Sequence, residues 1–190
     1  MKHIVVATVG MCGAGKSVAT QYIQDTFQFK SIYFGGFVLE EIKKRNLEIN
    51  SSNEKIVRED LRLQHGSEVM AKLALETINS YLVSGSNVII DGLYSFSEYL
   101  YLKEKFGSQL VVIAVHTAKH IRCQRLGTRE VRPLTPQQID HRDFTEIKNI
   151  EKAEPIAIAD YHIINDGEIQ NLYSQVNSVF AGLLKSIKDA

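Results

Sequence analysis

Residues 10 to 17 read Gly10-Met11-Cys12-Gly13-Ala14-Gly15-Lys16-Ser17, which satisfies the pattern G-x-x-x-x-G-K-[ST]. Each fixed position has a physical job. Glycines let the backbone turn so that successive N–H groups face one concavity, a nest for anionic oxygens. Lys16, Ser17 and Val18 open the following helix, whose positive dipole end points into the same concavity. A lysine there would bridge the β- and γ-phosphates of a nucleotide, and the Ser17 hydroxyl would ligate Mg²⁺. A glycine-rich turn can match this spacing by chance. The apolar run HIVVATV before it and the helical stretch after it supply the context that a phosphate loop requires. Cys12 could have a stabilised thiolate beside a helix N-terminus, or it is a small residue at an unconstrained loop position.

Two further groups suit chemistry on a held phosphate. Asn87-Val88-Ile89-Ile90-Asp91-Gly92 ends an apolar run on a carboxylate. Ligands of parallel α/β sheets gather at the carboxyl ends of strands, so Asp91 is expected near the loop, holding Mg²⁺ or orienting the attacking group. Capping the turn at Gly92 is the plainer role. Arg122, Arg125 and Arg129 are spaced by three and four, and Arg132 and Arg142 follow. Gly127, Pro133 and Pro136 interrupt that region, so a short lid over about 127–136 is expected. Guanidinium groups on a lid could neutralise charge that develops on a transferring phosphoryl group. They could equally form a solvated basic face paired with Glu130, Asp140 and Asp143.

These residues need a frame. Apolar runs at His3–Val9, Asn87–Ile90, Leu110–Val115 and Tyr161–Ile164, with a weaker one at Lys30–Phe34, are nearly continuous rather than alternating. Strands buried on both faces of a parallel sheet read this way. Helical stretches separate them: Ser17–Phe27, Phe37–Arg45, Glu54–Leu82 broken near His65-Gly66, Phe96–Phe106, Ala118–Leu126, Pro136–Ile150 and Ile169–Ile187. Thr135-Pro136-Gln137-Gln138 is a capping-box start. The expected fold is α/β with three layers, a five-stranded parallel sheet covered by helices on both faces. Residues 1–190 are expected to form one domain.

Composition excludes several classes. The formal net charge is zero, which disfavours a general nucleic-acid binder. Two cysteines, Cys12 and Cys123, offer neither a disulfide framework nor a zinc spacing, so a reducing, cytoplasmic setting is expected. The N-terminal apolar run is too short for a signal peptide or a membrane span, and no membrane partner is expected. The histidines are scattered without ligand spacing and read as packing or surface residues. Tyr94, Phe96, Tyr99 and Tyr101 read as a base-stacking wall or as core.

The chain resembles the P-loop nucleotide-kinase group, closest to dephospho-CoA kinase-like and adenylate- and cytidylate-kinase-like proteins. The resemblance is carried by VGMCGAGKS, VIIDG, VVIAVHTAKHIRCQRL, IDHRDFTE and ADYHIINDGEIQNL, and spans nearly the whole chain. It implies a P-loop NTPase fold binding ATP and Mg²⁺, with an acceptor-side helical segment over about 36–84 and a small-molecule acceptor. Gly10, Cys12, Gly13, Ala14, Gly15, Lys16, Ser17 and Val18 would hold the phosphates, and Ser17 and Asp91 the metal. Asn165 and Gly167 would lie near the base. Lys16, Asp91, Arg125, Arg129 and Arg142 would serve catalysis, in a monomer or homodimer. The acceptor side departs from the pattern. Gly36 stands where these kinases present an Asp and Leu39 where they present an Arg. A glycine cannot act as base or ligand, and a leucine cannot neutralise a phosphate. Two activities therefore compete: transfer of the ATP γ-phosphate to a nucleotide-like or CoA-like acceptor, and an ATP-binding switch that has lost that transfer. A scaffold role has no use for Lys16 and Ser17.

Overall fold

In a computed structural model, the chain is described over residues 3–131 and 133–189. Arg132, within the expected lid, lies outside the described residues. The strands are β1 (Val5–Val9), β2 (Lys30–Tyr33), β3 (Val88–Asp91), β4 (Leu110–His116) and β5 (Tyr161–Ile164). They form one parallel sheet in the order β2-β3-β1-β4-β5. Parallel neighbours need crossovers, and helices supply them. These are α1 (Lys16–Phe27), α2 (Phe34–Lys44), α3 (Ser51–His65), α4 (Val69–Val83), α5 (Phe96–Phe106), α6 (Lys119–Thr128), α7 (Pro136–Ile150), α8 (Ala153–Ala157) and α9 (Ile169–Asp189).

The continuous apolar character of β1 has a direct cause. Val5, Ala7 and Val9 face a core shared with α2, α3, α4 and α5, through Ile42, Leu61, Ile78 and Leu102. Val6 faces the other core, built with α1 and α9 through Ile23, Val176 and Phe180. Every residue of β1 is therefore buried. Each fully buried aliphatic side chain contributes roughly 1.5–3 kcal/mol, so β1 is pinned on both faces. Phe180 stacks on Phe27, and Phe29 meets it edge-on, tying α9 to α1. Among the described residues no helix is long and apolar enough to cross a membrane.

The long helical stretch breaks at Gly66 as expected, with φ 93. The other expected elements are present, with two differences. Helix α2 begins at Phe34, earlier than expected, because β2 ends at Tyr33 and the helix follows at once, taking Gly35 and Gly36 into its first turn. Helix α8 was not expected, since Ala153–Ala157 is too short to show periodicity. Between α6 and α7 the chain passes through the expected lid region, and Thr135 and Gln138 form the capping box that starts α7.

Candidate functional site

The loop between β1 and α1 has the shape that a phosphate cradle needs. Gly10, Gly13 and Gly15 all have positive φ, at 148, 81 and 93. At Gly10 a Cβ would run into the Val115 carbonyl of β4, and at Gly15 into the Asn165 amide. Glycine at both positions is thus a packing requirement as well as a conformational one. Helix α1 starts after Gly15 with no side chain capping its first turn. Its first N–H groups lack intrahelical partners and face the loop, with the helix dipole aligned behind them.

Lys16 lies across the mouth of this loop, its Nζ donating to the carbonyls of Gly10 at 2.8 Å and Met11 at 3.1 Å. Burial, with help from the nearby charge of Lys152, brings its ammonium down to about 8. Asp91 ends β3 opposite Thr8 of β1 and Tyr33 of β2. Thr8 fixes the turn that follows, its carbonyl accepting from Leu93 N at 2.9 Å and its hydroxyl from Gly92 N at 3.4 Å. Burial raises the Asp91 carboxyl, opposed by a hydrogen bond from Ser17 and the charge of Lys16. The structure thus brings together Ser17, Asp91 and Lys16, residues from two distant parts of the chain. A hydroxyl beside a carboxylate is a hard oxygen pair of the kind Mg²⁺ takes.

The arginines separate into distinct roles. Arg122 is buried and forks onto Asp143 of α7, at 3.0 and 2.6 Å, while its Nη1 also donates to the Cys12 carbonyl at 3.0 Å. It ties the phosphate loop to α6 and α7, a positioning function that the sequence pattern alone did not single out. Arg125 donates to the Asn165 carbonyl at 3.0 Å and to the Thr117 hydroxyl at 3.3 Å, which joins α6 to the turn after β5. Arg129 caps the C-terminus of α6, so the helix does not extend far enough to align it with Arg122 and Arg125. Arg142, one residue from the Asp143 anchor, donates to Glu146 at 2.9 Å. Burial works against its charge, but Cys12 and Glu146 outweigh that and hold it cationic.

Lys152 was not anticipated. It is 1% exposed, follows α7, and donates to the second oxygen of Glu146 at 2.8 Å. Its Nζ also lies 5.1 Å from the centre of the Tyr94 ring. Burial alone would raise the Glu146 carboxyl, but Lys152 and Arg142 bring it down to about 2. A lysine in a sequence reads as solvent-facing, so only the fold reveals this one.

The remaining expected residues are placed as follows. Asn165 is buried and its amide donates to the Ala14 carbonyl at 2.9 Å, so it braces the loop from the end of β5. Gly167 lies on the exposed turn before α9, where its nearest neighbour is Asn171. Val18 is exposed on the rim of a groove of about 350 Å³ that runs from Ser17 to the stacked rings of Tyr22 and Tyr173. Gly36 lies in the first turn of α2, and Leu39 packs against the core. Tyr94, Tyr99 and Tyr101 also pack there. His116 and His162, which showed no spacing, meet at the ends of adjacent β4 and β5, with Nε2 and Nδ1 2.9 Å apart.

Comparison with known proteins agrees with the fold. A family model described as an AAA domain matches residues 6–163. A UPF0200 protein of Thermococcus onnurineus is 34% identical over 166 residues, which covers 86% of this chain and 89% of that protein. Among solved structures, a shikimate kinase from Bacteroides thetaiotaomicron superposes with a TM-score of 0.63 at 12% identity, covering 95% of this chain and 98% of that one. A gluconokinase from Sinorhizobium meliloti superposes with a TM-score of 0.58 at 12% identity, covering 98% and 96%. At that identity the structures share the fold, the P-loop kinase architecture.

Proposed function

The chain belongs to the UPF0200 family and carries the AAA domain, and from that premise we propose that it is an ATP-binding phosphotransferase acting on a small acceptor, nucleotide-like or CoA-like. The observation that supports this best is the convergence of Lys16, Ser17, Asp91 and Arg142 on one glycine cradle at the carboxyl end of the sheet. A scaffold would not need that arrangement.

In this reading the loop N–H groups and Lys16 bind the β- and γ-phosphates. Lys16 exchanges its two carbonyl partners for phosphate oxygens when the nucleotide arrives. Ser17 and Asp91 are the residues that would hold Mg²⁺, which when bound neutralises phosphate charge. Arg142 and Lys152 present positive charge from α7 and the turn after it. Asp143, forked onto Arg122, fixes the approach of α7 to the loop. Catalysis of this kind is positioning and charge stabilisation, with little covalent work for the protein. Asn165 braces the loop from the end of β5, and Arg125 of α6 holds the Asn165 carbonyl, toward the side where the base would sit. The proposed setting is the cytoplasm.

One observation favours a second reading, an ATP-operated switch. Leu39 is committed to the core and Gly36 has no side chain, so the start of α2 has no charged group for an acceptor. A transfer assay with γ-labelled ATP against dephospho-CoA and the nucleoside monophosphates separates the two. Label on any acceptor, lost in Lys16→Ala, supports the phosphotransferase. Tight ATP binding without a labelled acceptor supports the switch, and no ATP binding overturns both.

A further inference from the structure

Helices α1 and α9 both start at the carboxyl end of the sheet and run side by side, pairing Tyr22 with Tyr173 and Phe27 with Phe180. Toward the sheet they close on each other, burying Ile23, Val176 and Phe180 completely. Toward solvent they leave the groove of about 350 Å³, lined by Ser17, Val18, Gln21, Tyr22, Asp25 and Tyr173. That volume falls within the range of small-ligand sites, roughly 300–1,000 Å³. The groove is continuous with the phosphate cradle, because Ser17 belongs to both.

Its walls are apolar and aromatic, with one polar rim. Val18 is 42% exposed there. The Tyr22 and Tyr173 rings are half-buried and nearly parallel, with centroids 3.9 Å apart, and Asn177 accepts from the Tyr22 hydroxyl at 3.1 Å. Single exposed apolar residues are ordinary, whereas these three share one concavity beside the cradle. On the rim, Gln21 Nε2 donates to both oxygens of Asp25, at 2.9 and 3.0 Å. This fixes the carboxylate along α1 and leaves each oxygen able to accept a second donor. Helix geometry sets the reach. At 1.5 Å per residue, Tyr22 lies about 7.5 Å along the axis from Ser17, and Asp25 about 12 Å. A nucleoside extending from a phosphate held at Ser17 covers that distance, with its ribose along Val18, its base at the rings and the outer edge of the base at Asp25.

We propose that the α1–α9 groove is the base subsite of the bound nucleotide, where an adenine packs against the Tyr173 ring and donates its exocyclic amino group to Asp25. The rim offers a carboxylate and no free donor of its own from Gln21 Nε2, so it selects a base edge that carries an N–H over one that carries a carbonyl. The inference rests on the reading of Gly10–Ser17 as a nucleotide phosphate cradle and adds the residues that would choose the base.

Calorimetry on the whole protein with three Mg²⁺-loaded probes tests this: ATP, ITP, which has a carbonyl in place of the amino group, and inorganic tripolyphosphate, which has no base. Tyr173→Leu keeps an apolar side chain but loses the ring, and should weaken ATP by about tenfold while leaving tripolyphosphate unchanged. Tyr173→Phe keeps the ring and should bind ATP as wild type does. Wild type should prefer ATP to ITP by about fivefold, and Asp25→Ala should remove that preference by weakening ATP without weakening ITP. Asp25 is exposed on α1, so its variant keeps the test open if Tyr173→Leu does not fold. Wild-type ATP affinity in Tyr173→Leu overturns the proposal, as does a loss in that variant that tripolyphosphate shares. Equal weakening of ATP and ITP by Asp25→Ala overturns it too. Failure of wild type to bind either ATP or tripolyphosphate instead overturns the phosphate-cradle reading beneath it.

Discussion

Replacing Glu146 by glutamine preserves the shape of the side chain and removes the charge that Arg142 and Lys152 share. The structure sets the size of the effect. The folded carboxyl lies at about 2 against an ordinary 4.5, a difference that corresponds to about 3 kcal/mol of stability at neutral pH. Breaking a buried pair independently suggests about 3–5 kcal/mol, and Lys152 is buried enough for that figure to apply. The sign with pH follows from the depressed value. The contribution is present in full above pH 4.5 and is lost as pH falls toward 2. Urea denaturation of wild type and Glu146→Gln should therefore differ by about 3 kcal/mol at neutral pH, and the gap should narrow steadily below 4.5. Nucleotide binding should move the other way. Of the two released cations, Lys152 stands near Lys16 and Arg142 near Cys12 of the loop, so phosphates can supply the missing anion, and ATP affinity in the variant should rise by about tenfold. A gap under about 1 kcal/mol at neutral pH would refute the buried-pair account. Weaker ATP binding in the variant would refute the placement of these cations around the phosphates.

Other outcomes follow from single positions. Gly10→Ala drives a methyl group into the fixed Val115 carbonyl at a φ of 148 and should cost about 3 kcal/mol or more, whereas Gly182→Ala, in α9 with open space around it, should stabilise by about 0.5–1 kcal/mol; thermal melts compare the two directly. Glu98 has a raised folded value of about 7, so its contribution to stability declines as pH rises from 4.5 through 7, and Glu98→Gln should abolish about 3 kcal/mol of that decline in denaturation curves taken across the range.

The fold was legible because its strands advertise burial on both faces. HIVVATV, NVII, LVVIAV and YHII hold almost no polar residue that a single-faced strand would show. The weak strand Lys30–Tyr33 pairs only with β3 at the sheet edge, and it buries just Ile32. Local chemistry was legible where it follows a fixed spacing, as at the phosphate loop and the Thr135–Gln138 capping box. What stayed hidden depends on which side of a helix meets the sheet. Arg62, Glu98 and Lys152 are charged residues with nothing in their neighbours to mark them as buried. Arg122 looked like one of a row of basic residues, and only the contact with Cys12 and Asp143 distinguishes it. The row itself misled, since α6 stops at Thr128 before Arg129 can join the same face. His116 and His162 are 46 positions apart and meet only through the pairing of β4 with β5.

The central claim is that Gly10–Ser17 holds the phosphates of a nucleotide. Calorimetric titration of Mg²⁺-ATP into wild type and Lys16→Ala tests it most directly, with circular dichroism confirming that both are folded. The account predicts saturable one-to-one binding by wild type and a loss of about a hundredfold or more in the variant, as expected when a buried charge-assisted contact to phosphate is removed. Equal affinity in the two proteins, or no binding by wild type, would contradict it.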